Sequence, residues 1–563
     1  MVRPVSKEQI EALECKHVNY CKANNGSYDD LLVIKEVIHT KDGRKIPNMV
    51  MLKNFKRDFY VTKPGFQKHK DKKEWEEVTK LQKFTTTQNN LLRSIGRALG
   101  RPGAKGGLKT LARSPYLYGT DISPATLMKK KYRERYPDAF SENSVAVLDI
   151  ETDVVHGHGR PIYVTITFKD KAVLAVTKEF IDGDTNFEAK LRKKTDELLG
   201  EYMKSRNINL EVLICDTAAE ACAKVIARAH EWQPDFLTIW NIDFDIPKIV
   251  ECLKNGGYDP AEVFSDPIVP PEYRFFKYMQ GKSQKVTASG LITPIHPADR
   301  WHKAMCPASF MLIDSMCTYK RVRLAGSNDT SYSLDFQLNK HLGVRKLKFE
   351  EAKDHEGLAW HVIMQDKYKV EYGVYNLFDC IGVELFDEKV KDLAVTITVL
   401  SGISEFYIFD SQPKRLVDQL NVFCEEKGLV VAAASDDMVD DLDKHVVSMR
   451  NWIITLPAHL ALHNGVKVVR EVPDLSTLIF THVADLDVSS SYPSTQVFLN
   501  MSKETTYREL CRIRGVPEEV QRFTGINLTG GPVNAVEIAC NIFKAPKFDT
   551  LLEEFIKDTE NVA

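Results

Sequence analysis

The sequence predicts a mixed α/β fold that is divided among several domains. Its 563 residues are enough for roughly three or four domains of about 150 residues each. Apolar runs typical of buried strands occur at 145–150, 210–214 and 236–240, and the segment 218–232 has helical periodicity. Strands that alternate with helices in this way favour a sheet that is covered by helices.

Further periodic segments continue the pattern towards the C-terminus. Residues 275–297 are strand-like and polar, with glycines at two turn positions, so we expect a protruding hairpin. Apolar residues recur at helical spacing over 367–390, which predicts a long helix. A second helix is expected over 413–427, and a second strand-rich region begins at Leu478.

The composition is that of an ordinary globular protein, with 43% hydrophobic and 27% charged residues. The longest uncharged apolar stretch, Leu393–Ile403, is too short and too rich in threonine to span a bilayer. No secretory signal follows Met1. The 11 cysteines are scattered without a C-x-x-C pair, which argues against a disulfide framework and a structural zinc site. We therefore expect a soluble cytoplasmic protein with no membrane partner.

The net charge of −2 conceals an uneven distribution of charged residues. Residues 1–140 contain 29 lysines and arginines against 15 aspartates and glutamates, whereas the rest of the chain is acidic. A basic region of this kind indicates contact with a polyanion. For the segment 68–83, a solvated helix face is the favoured interpretation, because glutamates interleave its lysines. The basic, glycine-rich segment 96–110 lacks the spacing of a phosphate-binding loop and is expected to form a loop.

The first of three carboxylate clusters ends the strand predicted at 145–150. Asp149 and Glu151 are two residues apart, so their side chains project from the same face of the strand. Two adjacent carboxylates repel each other unless a cation lies between them, which suits a hard divalent ion such as Mg²⁺. The alternative is a strand that simply runs into a solvated acidic turn.

The second cluster lies where the strand at 236–240 gives way to a helix. Asp243 and Asp245 precede Pro247, which suits the first turn of a helix, and the helix is expected to stop at Asn255. An aspartate at such a junction is often only a helix N-cap.

The third cluster lies on the long helix. Tyr375 and Asp379 are four residues apart and therefore share one helix face, where a phenol beside a carboxylate could orient a metal-bound water. The alternative is an ordinary amphipathic helix surface.

Taken together, the three clusters resemble the three exonuclease motifs of proofreading DNA polymerases. The motifs are D-I-E-T at 149–152, N-x-x-x-D at 241–245 and Y-x-x-x-D at 375–379. The resemblance implies a ribonuclease H-like 3′→5′ exonuclease domain, with a mixed sheet flanked by helices, in which four acids hold two Mg²⁺ ions, or Mn²⁺ in their place.

The same resemblance assigns a role to each motif residue. The implied metal ligands and catalytic acids are Asp149, Glu151, Asp245 and Asp379. Tyr375 is implied to position the attacking water. Asp243 competes with Asp245 as the second-motif ligand, but the pair Phe244-Asp245 fits the family's aromatic-Asp ending better. Asp314, after a predicted strand at 310–313, is a supporting residue and not an assigned ligand.

A further motif lies near the C-terminal end of the sequence. Residues 485–494 read D-L-D-V-S-S-S-Y-P-S and resemble the D-x-x-S-L-Y-P-S palm motif of family B DNA polymerases, with a serine in place of leucine at 491. The resemblance implies that Asp487 is catalytic and binds metal ions, and that residues at a helix start bind the incoming deoxynucleoside triphosphate. The implied nucleotide-binding residues are Val488, Ser489, Ser490, Ser491 and Tyr492.

The resemblance covers most of the sequence and is closest to replicative polymerases of large tailed bacteriophages. It implies an N-terminal domain over 1–140 that is completed by about 392–455, an exonuclease domain over 141–391 and a partial palm over 456–563. The family's later motifs K-x-x-x-N-S-x-Y-G and D-T-D-S do not occur in these residues. One palm aspartate cannot by itself hold two Mg²⁺ ions and a triphosphate.

The resemblance therefore implies the N-terminal polypeptide of a split family B DNA polymerase. Its expected partners are primer-template and single-stranded DNA, dNTP, and a second polypeptide that supplies the fingers, the remaining palm and the thumb. A stand-alone 3′→5′ exonuclease, a non-catalytic DNA-binding scaffold and a truncated gene product are the alternatives.

Overall fold

The computed structural model describes residues 6–435, except for 70–71, 74, 103–106, 287–289, 325 and 327, together with the single residues 512, 515 and 557. The expected partial palm over 456–563 and the strand-rich region from Leu478 lie outside this part of the chain. The described residues combine several sheets with many helices, which confirms the mixed fold class that the sequence predicts.

The strands of the described residues are β1 (Ile10–Lys22), β2 (Asp30–Thr40), β3 (Lys45–Lys53), β4 (Lys56–Thr62), β5 (Trp75–Glu77), β6 (Leu81–Thr87), β7 (Leu117–Tyr118), β8 (Val145–Thr152), β9 (Pro161–Phe168), β10 (Lys171–Thr177), β11 (Asn209–Cys215), β12 (Phe236–Ile239), β13 (Lys277–Met279), β14 (Gln284–Val286), β15 (Ile292–Pro294), β16 (Lys303–Met305), β17 (Met311–Asp314) and β18 (Leu429–Val431). The helices are α1 (Leu91–Ala98), α2 (Leu108–Leu111), α3 (Pro124–Arg135), α4 (Phe187–Ser205), α5 (Ala218–Trp232), α6 (Ile242–Asn255), α7 (Pro260–Phe264), α8 (Ser315–Val322), α9 (Leu334–Leu342), α10 (Leu358–Lys367), α11 (Lys369–Val390), a π-helical turn (Asp392–Thr396), α12 (Ile397–Ser401) and α13 (Gln412–Glu426).

The chain forms two compact units. Unit 1 consists of Met1–Phe59, Lys83–Gly100 and Asp121–Gly428, and unit 2 consists of Tyr60–Gln82, Arg101–Thr120 and Leu429–Ala563. The domain boundaries expected at residues 140 and 391 stay predictions.

Unit 1 contains a six-stranded mixed sheet in the order β11-β10-β9-β8-β12-β17. Strand β9 runs antiparallel to both of its neighbours, and the remaining pairs are parallel. All eight residues of β9 are buried, as expected for a central strand that is covered on both faces. One face packs against α5 and α6, and the other packs against α4, α9 and α11.

Strand β8 divides its side chains between these two faces. Ala146, Leu148 and Ile150 join the core beneath α5 and α6, whereas Val147 joins the core beneath α11. Because side chains alternate along a strand, Asp149 and Glu151 continue the face of Val147. The two acids therefore lie on the side of the sheet that α11 covers.

Two further parts of unit 1 are an N-terminal sheet and the region in which the sequence predicts a hairpin. Strands β1, β2 and β3 form an antiparallel sheet on which α3 packs. Strands β14 and β15 form the expected antiparallel hairpin, in which Val286 pairs with Ile292. Strand β13, which the sequence places in the same hairpin, pairs instead with β16.

Several predicted helices agree closely with the structure. Helix α5 has the predicted bounds, α11 begins two residues after the predicted start, and α13 is displaced by one residue from the predicted 413–427. None of the helices in the described part of the chain is both long and apolar enough to cross a membrane. The cysteines of that part are all free thiols.

The prediction of a helix face over 68–83 is wrong. In unit 2, the three residues of β5 pair antiparallel with β18, and Val78–Lys80 forms a single 3-10 turn. Glu76 is buried, and its carboxylate lies 2.6 Å from the Nζ atom of Lys73. A long-range strand pairing, which the local charge pattern does not reveal, therefore determines the conformation of this segment.

The segment 96–110 also concerns the sequence predictions, and it contributes residues to both units. Of its described residues, 96–98 end α1 and 108–110 begin α2, so the expected loop does not extend over the whole segment. In unit 2, Tyr60 and Val61 of β4 pair antiparallel with β7.

Candidate metal centre

Three carboxylates meet where β8 passes beneath α11. One carboxylate oxygen from each of Asp149, Glu151 and Asp379 lies within 4.8 Å of the other two. Asp379 is only 4% exposed, whereas Asp149 and Glu151 are half-buried. The strand supplies its two acids by the alternation of its side chains, and the helix supplies the third from its buried middle. The structure thus brings together acids that are 230 residues apart in the sequence.

A fourth acid, Asp245, approaches this triad from the first turn of α6. It is 5% exposed, and its charge acts directly on the carboxyl of Asp149. Burial raises the pKa of Asp245, the charge of Glu151 raises it further, and the backbone N–H of Ile150 opposes that rise. Asp245 is therefore near enough to β8 for its charge to act on the strand's acids, although it is not one of the three acids that lie within 4.8 Å of one another.

Asp243 has different surroundings from Asp245. Its carboxylate accepts hydrogen bonds of 2.8 Å from the hydroxyl of Tyr278 and from Nε2 of Gln280. The ring of His302 lies 3.5 Å away on the same side. Asp243 is thus occupied by polar groups from β13 and its surroundings, and, unlike Asp245, it is not among the charges that act most strongly on the carboxyl of Asp149.

The start of α6 differs from the prediction. The helix begins at Ile242, so Pro247 is its sixth residue and not part of its first turn, and the helix ends at Asn255 as expected. The N-cap residue is Asn241, so the interpretation of an aspartate here as the N-cap is wrong. Asp314 provides the missing acceptor: one of its oxygens accepts a 2.9 Å hydrogen bond from the backbone N–H of Ile242.

Asp314 therefore supports the centre from outside it. Its second oxygen accepts a 2.6 Å hydrogen bond from the backbone N–H of Cys317, which caps α8. Burial raises the pKa of Asp314 to about 7. By accepting from the first turns of two helices, this carboxylate fixes the start of the helix that carries Asp245.

Burial is the largest cause of a raised pKa for every acid in the centre, and repulsion from a neighbouring carboxylate adds to it. Burial is the largest cause for Asp149, followed by the charges of Asp245, Asp379 and Glu151. Burial raises the pKa of Glu151 to about 7. Acids in this state gain most from a cation that replaces their lost hydration.

Lys346 supplies a positive charge at one side of the centre. Its Nζ atom donates hydrogen bonds to Oδ2 of Asp379 at 2.5 Å and to the hydroxyl of Tyr375 at 3.0 Å. Burial acts to lower the pKa of Lys346, but the charges of Asp379 and Tyr375 and the hydrogen bonds to both together outweigh it and hold that pKa well above the ordinary value. Tyr375 and Asp379 thus share one helix face, as their spacing predicts, and are linked through this lysine.

The donor set fits a hard divalent cation. Oδ1 of Asp379 is buried and has no hydrogen-bond partner among the described residues, although the other oxygen of the same carboxylate is bonded. An unpartnered buried carboxylate oxygen is costly unless a cation or water meets it. Carboxylate oxygens are the ligands that Mg²⁺ and Mn²⁺ prefer. Asp149, Glu151 and Asp379 could hold such an ion, with Asp245 adjacent.

Sequence reasoning did not identify several residues that contact the acids. Asn376 donates a 2.6 Å hydrogen bond from Nδ2 to Oδ2 of Asp149, and the hydroxyl of Tyr372 donates to Oε2 of Glu151. Both lie on the face of α11 that carries Asp379, so helical periodicity could have found them. Lys346 lies in a loop before α10, and no local pattern marks it.

No family model matches the sequence, and no curated protein matches it significantly. The resemblance to family B DNA polymerases stays a prediction that rests on the motifs. The second predicted site, Asp487 with Val488, Ser489, Ser490, Ser491 and Tyr492, lies outside the described residues.

Proposed function

We propose that this chain is a metal-dependent 3′→5′ exonuclease that acts on DNA. The observation that carries the proposal is the convergence of Asp149, Glu151 and Asp379 within 4.8 Å, with Asp245 beside them. These are the four acids that the three exonuclease-like motifs select, and they come from one strand, β8, and two helices, α6 and α11, which meet only in the fold. The mixed sheet between helices is compatible with a ribonuclease H-like domain.

The proposed chemistry divides between the ions and the chain. When bound, two divalent ions would supply a hydroxide nucleophile and stabilise the leaving 3′-oxygen. Asp149, Glu151 and Asp379, with Asp245 nearby, would hold those ions. Tyr375 is held by Lys346 beside Asp379, a place from which its hydroxyl can orient water. The ammonium group of Lys346 adds positive charge where a phosphate group would approach.

The test is degradation of single-stranded DNA that is labelled at its 5′ end. With Mg²⁺ or Mn²⁺ the chain should shorten this DNA from the 3′ end, and the variant with Asp149→Ala and Glu151→Ala should lose the activity. Asp196→Ala with Glu201→Ala is the matched control, because it also removes two acids but from the exposed face of α4. Undiminished degradation by the first variant would refute the assignment of the site.

The motif at 485–494 supports a second proposal, that the chain is part of a DNA-directed DNA polymerase. In this proposal the nuclease removes misincorporated nucleotides, Asp487 binds metal ions, and synthesis requires a second polypeptide. A stand-alone exonuclease would degrade DNA but never extend a primer, with or without that polypeptide. A DNA-binding scaffold would bind DNA without degrading it in the presence of either metal ion.

A further inference from the structure

Glu151 is held by a chain of hydrogen bonds that the exonuclease-like motifs do not include. The hydroxyl of Tyr372 donates to Oε2 of Glu151. The oxygen of that hydroxyl lies 2.8 Å from Nδ1 of His361 and 3.3 Å from Nε2 of Gln365. Two residues of α10 therefore contact the tyrosine that contacts the acid, and Nδ1 of His361 itself lies 3.8 Å from Oε2 of Glu151, beyond hydrogen-bond distance.

The direction of these bonds follows from the single proton of a phenol. Because Tyr372 donates that proton to Glu151, its oxygen must accept from both His361 and Gln365. The proton of neutral His361 is therefore on Nδ1. Nε2 of Gln365 also donates a 2.9 Å hydrogen bond to the carbonyl of Thr152, while its Oε1 accepts from the backbone N–H of Val154. Helix α10 is thus bonded to the backbone that directly follows Glu151.

The two tyrosines on this face of α11 have different partners. The hydroxyl of Tyr375 accepts a hydrogen bond from Lys346, which also contacts Asp379, whereas the hydroxyl of Tyr372 donates a hydrogen bond to Glu151. Their rings stack with centroids 6.0 Å apart and nearly parallel planes, and Trp360 contacts both rings. Packing therefore restricts the ring of Tyr372 independently of its hydroxyl.

We propose that Tyr372 is a positioning residue that holds the carboxylate of Glu151 in its ion-binding orientation, and that His361 acts by holding Tyr372. The inference rests on the proposed function, since it assigns the ion site to the same acids. A glutamate side chain has several rotamers, and repulsion from Asp149 and Asp379 would otherwise favour one that turns away. A hydrogen bond to the charged carboxylate opposes that movement.

The test is Mn²⁺ binding by the full chain, measured as free Mn²⁺ by electron paramagnetic resonance. Tyr372→Phe removes the hydroxyl and keeps the ring, and it should weaken Mn²⁺ binding about 10–100-fold, as removal of partners of metal ligands typically does. At saturating Mn²⁺ the KM for single-stranded DNA should be unchanged and kcat should fall. Equal Mn²⁺ affinity in the wild type and in Tyr372→Phe would overturn the proposal.

Tyr163→Phe is the matched control for this variant. The hydroxyl of Tyr163 donates a 2.6 Å hydrogen bond to the carbonyl of Lys369 at the start of α11, and its ring contacts that of Tyr372. The control thus loses a tyrosine hydrogen bond to the same helix without touching an acid, so its Mn²⁺ affinity should equal that of the wild type. A loss equal to that of Tyr372→Phe would show a general loosening of α11 and would overturn the proposal.

A double-mutant cycle tests the role of His361. His361→Ala should weaken Mn²⁺ binding in the wild-type background and have no further effect in the Tyr372→Phe background. Additive losses would overturn the claim that His361 acts through Tyr372. Because Mn²⁺ binding is measured without DNA, weakened binding in Tyr372→Phe supports this inference even if the wild type degrades no DNA, in which case only the proposed function fails.

Discussion

Asp243 and Asp245 are two residues apart on α6, and their surroundings predict different consequences of the same substitution. Asp245→Asn removes a charge that acts on Asp149 and Glu151, so nuclease activity should fall by at least the ~10–100-fold typical of lost metal-ligand support. Asp243→Asn keeps an oxygen that accepts from Tyr278, so most of the activity should remain. The measurement is the initial rate of nucleotide release from labelled single-stranded DNA.

A reversed result, with activity lost in Asp243→Asn and retained in Asp245→Asn, would transfer the second-motif ligand to Asp243. Both substitutions are isosteric and lie in the same helix turn. A general effect on α6 would therefore lower both rates together.

The raised pKa values of the acids predict how stability depends on pH and metal ions. Burial raises the pKa of Glu151 from 4.5 to about 7, so between these values the folded chain binds protons more tightly than the unfolded chain. The stability of the metal-free protein should therefore fall as pH rises through this window. Mn²⁺ binds the deprotonated carboxylates, so it should raise the melting temperature more at pH 8 than at pH 5.5.

Melting curves with and without Mn²⁺ at the two pH values check this expectation. The Asp149→Ala, Glu151→Ala variant should lose the Mn²⁺ effect at both. An Mn²⁺-induced shift that is the same at pH 5.5 and pH 8 would contradict the assignment of the raised pKa values to the ion ligands.

At the scale of elements, the contact between α5 and α6 determines the position of Asp245. Gly256 directly follows the last residue of α6, and a Cβ atom there would lie 2.3 Å from the Cβ of Ala219 on α5. Gly256→Ala should therefore destabilise the protein by about 1–3 kcal/mol, as overpacking does. Gly200→Ala is the control, because Gly200 lies within α4 with open space around it. This substitution should raise the stability of the protein by about 0.5–1 kcal/mol.

Chemical denaturation of the two glycine variants measures both effects. A neutral Gly256→Ala would mean that α5 and α6 separate without cost. In that case, their close approach would not be what holds Asp245 beside β8.

Periodicity explains why part of the site could be predicted from the sequence. Asp149 and Glu151 are two residues apart, which predicts that they share one strand face. Tyr375 and Asp379 are four residues apart, which predicts that they share one helix face. Neither spacing indicates that this strand and this helix are neighbours. That expectation came from the motif resemblance alone. Lys346 could not be predicted, because it reaches Asp379 across 33 residues through the packing of a loop.

Local signals failed where long-range pairing or backbone bonding decides the structure. The charge pattern of 68–83 is typical of a helix, but pairing with β18 makes Trp75–Glu77 a strand. The early proline suggested that α6 begins near Pro247, whereas the carboxylate of Asp314 satisfies the N–H of Ile242 and moves the start back by one turn. In both cases, the decisive partner is distant in the sequence.

At the scale of the whole molecule, the excess of basic residues over 1–140 predicts salt-dependent DNA binding. These residues contribute to both compact units. If they neutralise phosphates, each contact with single-stranded DNA should contribute a slope of about −0.7 to the logarithm of affinity against the logarithm of salt concentration. Fluorescence anisotropy of the Asp149→Ala, Glu151→Ala variant, without metal ions, measures binding without degradation. A flat dependence would exclude the basic region from DNA binding.

Asp487 leads to the last prediction, which concerns synthesis. Two-metal nucleotide transfer needs carboxylates from two strands that converge on the same ions, and Asp487 belongs to the one palm motif in these 563 residues. The purified chain should therefore not extend a primer. Extension should appear when a polypeptide that carries the D-T-D-S motif is added. The two chains should bury well above ~2,000 Å², as permanent complexes do.

Two substitutions separate the sites in this experiment. Asp487→Asn should abolish extension by the complex and leave degradation of single-stranded DNA intact, because the exonuclease acids lie on β8, α6 and α11. Asp149→Ala with Glu151→Ala should do the reverse. Primer extension by the single chain that disappears on Asp487→Asn would show that its own residues complete the polymerase site, and the proposal of a second polypeptide would then be wrong.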